Sequence, residues 1–132
     1  MHILPVGDFS RIYELLEFEN EFEELCQDGK RKLYENWLYR NLINLDKHFH
    51  TAIDGNHIEK LSDTDPPLFS IRRPHGKNGN PRVIFAYITK QGNIYNIYLL
   101  HAFEEKNTSD YRRAITISKN RLKQLKEEYE NE

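Results

Sequence analysis

Apolar positions recur along this chain in two rhythms. Over residues 30–51, Leu33, Tyr34, Trp37, Leu38, Asn41, Leu42, Leu45 and Phe49 return at spacings of three and four. That period predicts one long amphipathic helix, with Lys30, Arg31, Glu35 and Arg40 away from the stripe's centre. From about residue 68 the period shortens. LFSIRR (68–73) sets Phe69 and Ile71 against Leu68, Ser70 and Arg72, while RVIFAYIT (82–89) and NIYNIYLLHAF (93–103) are rich in β-branched and aromatic residues. PHGKNGNP (74–81) has the composition of a turn, and KQG (90–92) that of a short hairpin connection. Three strands joined in succession predict an antiparallel meander.

The flanking segments complete the outline. RIYELLEF (11–18) reads as a strand with Tyr13 and Leu15 on one face, or nearly as well as helix, given its acidic residues. Asn20 suits a helix N-cap ahead of Glu21, Glu23 and Glu24, and Gly29 ends that helix. Residues 52–67 have loop composition. Residues 108–129 form a last helix with Tyr111, Ile115, Leu122 and Leu125 on one side. With no repeat or linker, the 132 residues make one domain. The expected fold is α+β: a small antiparallel sheet in β-α-α-β-β-β-α order, its helices packed on one face.

Composition narrows the function classes. The chain is 38% hydrophobic and 30% charged, with no apolar run long enough to span a membrane. MHILPVGDFSR lacks the layout of a secretory signal, and Cys26, the single cysteine, cannot form an internal disulfide; both favour the cytoplasm. The net charge of -2 conceals a polarity. Residues 1–70 hold 7 Lys and Arg against 14 Asp and Glu, and residues 71–132 hold 12 against 7. Such asymmetry points to a polyanionic partner, or to two solvated faces that partly neutralise each other.

Candidate chemistry concentrates in the basic half. His48 and His50 stand two apart at a helix end, where they diverge around the axis, and no metal motif accompanies His57. Gly76 and Gly79 lack the lysine and hydroxyl of a phosphate-binding loop. No metal or cofactor is implied. Arg72, Arg73, His75, Lys77 and Arg82, however, flank one turn, and His101, Lys106, Tyr111, Arg112 and Arg113 follow the last strand. Guanidinium groups bind phosphate bidentately, and an aromatic ring stacks on a base. The alternative is a solvated rim in which Arg72 and Arg82 pair with carboxylates of the first half.

These segments resemble the RelE/ParE superfamily of bacterial toxins, especially its HigB-like branch. LFSIR (68–72), PRVIF (81–85), IYLLHAFEEK (97–106) and ITISKNRLKQL (115–125) follow one another as that branch's motifs do. The likeness covers roughly residues 11–125. Ser70, Pro81, Glu105 and Ser118 depart from the pattern. The resemblance implies the toxin of a type II toxin–antitoxin pair: a metal-independent endoribonuclease acting on ribosome-bound mRNA and neutralised by a cognate antitoxin. It implies Arg72, Arg82 and Lys106 as stabilisers of charge on phosphate. His101 follows as an acid or base, or as a structural residue of the strand. Apart from the resemblance, the basic cluster itself offers Arg73, His75, Lys77, Tyr111 and Arg112 to RNA, with His75 also a candidate acid or base and Tyr111 a stacking group or an acid. The competing expectations are a ParE-like, non-enzymatic gyrase inhibitor and a degenerate phage-derived module that binds RNA or protein.

Overall fold

A computed structural model describes residues 1–73, 79–90 and 94–130. Its elements are β1 (Ile3–Pro5), β2 (Ile12–Leu15), α1 (Leu16–Leu25), α2 (Arg31–Lys47), α3 (Phe49–Ile53), β3 (Ile58–Lys60), β4 (Phe69–Arg72), β5 (Pro81–Lys90), β6 (Ile94–Glu104) and α4 (Thr108–Glu130). The fold is α+β. The strands form one sheet in the order β1-β2-β6-β5-β4-β3.

The meander 69–104 forms as expected, with β4 antiparallel to β5 and β5 to β6. The sheet is nevertheless mixed, because β2 pairs parallel to β6, Tyr13 opposite Tyr98. Ile12 and Leu15 are fully buried, so this short strand sits inside the sheet between β1 and β6. The segment 11–18 divides: strand to Leu15, then helix from Leu16, four residues before the expected cap at Asn20. Its helical and extended readings were each right for half of it.

Where β2 stops, α1 continues along the edge of β6. Glu21 accepts the backbone N–H of Ala102 at 3.4 Å, a donor a longer β2 would have paired. Asp28 and Gly29, at φ 60 and 79, turn the chain into α2. The expected helix 30–51 breaks at His48, which leaves helical geometry (φ -136, ψ 52) and lets α3 start in a new direction. The expected loop 52–67 contains edge strand β3, paired antiparallel with β4.

Helices cover both faces of the sheet, not one. Adjacent strand residues face opposite sides, and Phe69 and Ser70 show what each side meets. Phe69 stacks on Tyr87, which packs against Phe49 of α3. Ser70 accepts a hydrogen bond from Tyr111 of α4 at 3.3 Å. Burial on both sides explains why Val83, Ile84, Phe85 and Ala86 are all inaccessible. In β6 the register slips so that Ile84 faces His101 but Phe85 faces Leu99. Arg121 of α4 donates to the carbonyl of the skipped Leu100 at 2.7 Å.

Candidate active site

β4 and β5 place Arg72 directly opposite Arg82. Like charges at facing positions repel, and each arginine is drawn to a carboxylate. Arg82 Nε meets Glu105 Oε2 at 2.9 Å, with only 13% of the arginine side chain exposed, and its buried Nη1 has no hydrogen-bond partner among the described residues. Arg72 Nη1 lies 3.6 Å from Glu59, and its Nη2 donates to the Asn56 carbonyl at 3.0 Å. The pairing expected with first-half carboxylates thus holds for Arg72, whereas Arg82 takes its partner from the second half.

These groups line a cleft of about 450 Å³ between the sheet and the start of α4, with Lys60, Tyr111 and Ile115. Tyr111 is held by its bond to Ser70 and by edge-on contact with Phe103. Burial pushes its hydroxyl above the ordinary tyrosine range, against the lowering influence of Ser70 and Arg82. It therefore keeps its proton at neutral pH. α4 is capped by Asn107, whose side-chain Oδ1 accepts the backbone N–H of Asp110 at 3.2 Å, and the Asp110 carboxylate in turn accepts the backbone N–H groups of Lys106 and Asn107 at 2.8 and 3.0 Å. That cap fixes the helix start, and with it Tyr111.

The remaining expected residues fall elsewhere. His101 is 6% exposed and stacks on Phe103 behind the cleft wall. Its Nδ1 lies 2.9 Å from Glu21 Oε2. Arg121 grips both oxygens of that carboxylate at 2.8 and 3.0 Å. Burial alone would raise the Glu21 pKa, but the hydrogen bonds and charges of His101 and Arg121 outweigh it and hold Glu21 below the usual carboxylate range. Lys106 and Arg112 are exposed and do not line the cleft. Arg73 points to the opposite side, against α2. His75 and Lys77 lie outside the described residues.

Sequence reasoning missed Glu59, Lys60, Glu21 and Arg121. Glu59 and Lys60 belong to a strand hidden in a loop-like segment. The Glu21–Arg121 pair joins residues 100 apart, which no local pattern announces. Among the described residues, no group of three or more His, Cys, Asp or Glu side chains converges as metal ligands do, and no helix is long and apolar enough to cross a membrane. Comparison with protein-family models, with curated proteins and with solved structures finds no match.

Proposed function

We propose that the chain is the toxin of a type II toxin–antitoxin pair, a metal-independent endoribonuclease acting on ribosome-bound mRNA in the cytoplasm and held in check by an antitoxin protein. The observation that carries this reading is the facing pair Arg72 and Arg82 under Tyr111 and beside two carboxylates. Cleavage through the RNA's own 2′-OH needs that inventory. A carboxylate, Glu59 or Glu105, takes the 2′-OH proton as its oxygen attacks the adjacent phosphorus. The guanidinium groups stabilise the negative charge that develops on the phosphoryl oxygens. The bond to the 5′-oxygen breaks, and Tyr111 supplies its proton. The products are a 2′,3′-cyclic phosphate and a 5′-hydroxyl end. His101, held by Glu21 behind the wall, acts in this reading by packing against Phe103.

A second reading draws on the same geometry. Both arginines already have carboxylate partners, which lowers the cleft's positive charge and favours a module that binds RNA or protein without cutting. Translating ribosomes separate the two. Wild type should cleave mRNA, and Arg72→Ala and Arg82→Ala should each lower the rate about 100-fold, in the range for lost electrostatic stabilisation. Wild-type protein that leaves mRNA intact would sink the nuclease reading. Gyrase supercoiling, unaffected by the protein, would exclude the ParE-like alternative.

A further inference from the structure

The opposite face of the sheet carries a second cleft, of about 390 Å³, between α2 and the end of β4. Arg73, Arg40, His57, Asn36, Asn44 and the edge of Trp37 line it. Its chemistry differs from that of the Arg72–Arg82 cleft in one respect: among the described residues, no carboxylate lines it. The acids of α2 are turned to other tasks, Glu35 to Arg31 at 3.4 Å and Asp46 to Arg11 at 3.9 Å. Glu104, which shares the neighbourhood of the Tyr34 hydroxyl with Arg73, accepts the Asn80 N–H at 2.9 Å. Among the described residues, neither Arg73 nor Arg40 forms an ion pair. Arg73 Nη1 is moreover buried, and no atom of the described residues accepts from it.

A guanidinium with no carboxylate beside it brings an unbalanced charge to the cleft it lines, while its Nη1, closed off behind the lining, is not the atom a ligand reaches. Here the supporting shell is built around it. Trp37 donates to the carbonyl of Arg72 at 3.2 Å, and Asn41 donates to the carbonyl of Trp37 at 2.9 Å. These bonds fix the indole that forms the apolar wall and the backbone next to Arg73. The carboxamides of Asn36 and Asn44 stand on the rim of α2 beside Arg40. Past Asn44 and His57 the cleft continues into a hollow of about 280 Å³ lined by His48 and Ala52. The arrangement offers a cationic floor for an anion with several acceptor oxygens, the apolar edge of the largely buried Trp37 for a ring to rest against, and amides at the rim.

We propose that this cleft binds a phosphate monoester carried by a nucleoside, with Arg73 and Arg40 on the phosphate and the base against Trp37. The site is independent of the nuclease reading and stands on the other face of the sheet.

The test titrates the full chain with uridine 5′-monophosphate, inorganic phosphate and uridine, followed by calorimetry and by the Trp37 indole signal in NMR. The monophosphate should bind saturably at or below about millimolar Kd, phosphate alone more weakly, and uridine weakest. A 5′-phosphorylated pentanucleotide, run in parallel, distinguishes an RNA end from a free nucleotide as the source of the phosphate. Arg73→Met keeps the length of the side chain and removes its charge; it should weaken the monophosphate by about tenfold or more. Arg40→Ala, on the exposed rim, should weaken it severalfold with an unchanged melting temperature, and decides the matter if the Arg73 variant does not fold. Uridine binding as tightly as its monophosphate would overturn the proposal. So would affinity unchanged in both variants, or affinity lost in Arg82→Ala but kept in Arg73→Met, which assigns the ligand to the other cleft.

Discussion

At the scale of single residues, partly buried charge decides what each substitution does. A cation at a strand end is commonly exposed and removable without harm, but Arg82 is not such a case. It is mostly buried against Glu105, so Arg82→Ala strands a half-shielded carboxylate and should lower stability by about 1–3 kcal/mol. A double-mutant cycle with Glu105→Ala, read by urea unfolding, should return much of that loss, because the second change removes the stranded charge. Cleavage must therefore be compared at a temperature where both variants are folded. Ser118 is the converse case. It is fully buried, and its hydroxyl has no partner among the described residues. Ser118→Ala should leave stability unchanged or raise it by about 1 kcal/mol, checked by the same unfolding curve.

Two glutamates should give stability opposite pH dependences. Glu21 is held below the usual carboxylate range by His101 and Arg121 despite its burial. Its contribution is complete above the unfolded-state value and is lost as pH falls through the lower folded value. Glu21→Gln should flatten the acid limb of a melting-temperature profile below about pH 4.5 and lower the plateau above it. Glu14 is raised from 4.5 to about 7 by burial and by the negative charge of Glu19. The unfolded chain ionises first, so this group costs stability as pH rises from 4.5 towards 7. Glu14→Gln should match wild type at pH 4 and exceed it at pH 8, by about 1–2 kcal/mol once solvent screening is allowed for. A Glu14→Gln variant less stable than wild type at pH 8 would contradict the assignment.

At the scale of elements, legibility followed the strength of the local rhythm. β5, β6 and α4 were readable to within one or two residues, because a ten-residue strand or a helix of six turns repeats its pattern often enough to dominate. α2 was readable through Lys47, but its stripe continued into Phe49, which is buried against Tyr87 from a different helix. Periodicity cannot tell a continuous helix from two that share a core. β1 and β3 have three residues each, too few for any period. The candidate site divides the same way. Arg82 and Tyr111 were found on long elements and Arg72 through the run of cations around the 74–81 turn, whereas Glu59 and Lys60 were lost with β3. Gly79 adds an element-level constraint at the entry to β5. Its φ is +110, and a Cβ there would collide with the Glu104 carboxylate and the Tyr34 hydroxyl. Gly79→Ala should destabilise by about 1–3 kcal/mol, visible as a lower melting temperature.

At the scale of the whole molecule, the acidic first half and the basic second half are partly interleaved. Glu21 takes Arg121, and Glu59 takes Arg72, so some of the excess the sequence displays is spent on internal pairs. Among the described residues, part of the charge that remains outward forms one line. Arg112, Lys119 and Lys123 are exposed on α4 at spacings of seven and four, which places them on one side of the helix over roughly 16 Å. Tyr111, immediately before Arg112, lines the Arg72–Arg82 cleft, so an RNA strand leaving the cleft along α4 would meet these cations in turn. Three phosphate contacts on a single strand would contribute about -2 to the slope of log affinity against log salt. The double variant Lys119→Ala, Lys123→Ala should bring that slope closer to zero by about 1.4 and leave the melting temperature unchanged, since neither side chain is buried. Titrations of a short single-stranded RNA across a range of salt concentrations measure both slopes. A wild-type slope near zero would mean that no phosphates are neutralised anywhere on the surface, whereas a steep slope untouched by the double variant would move the RNA path off α4 and leave the cleft arginines as its only anchor.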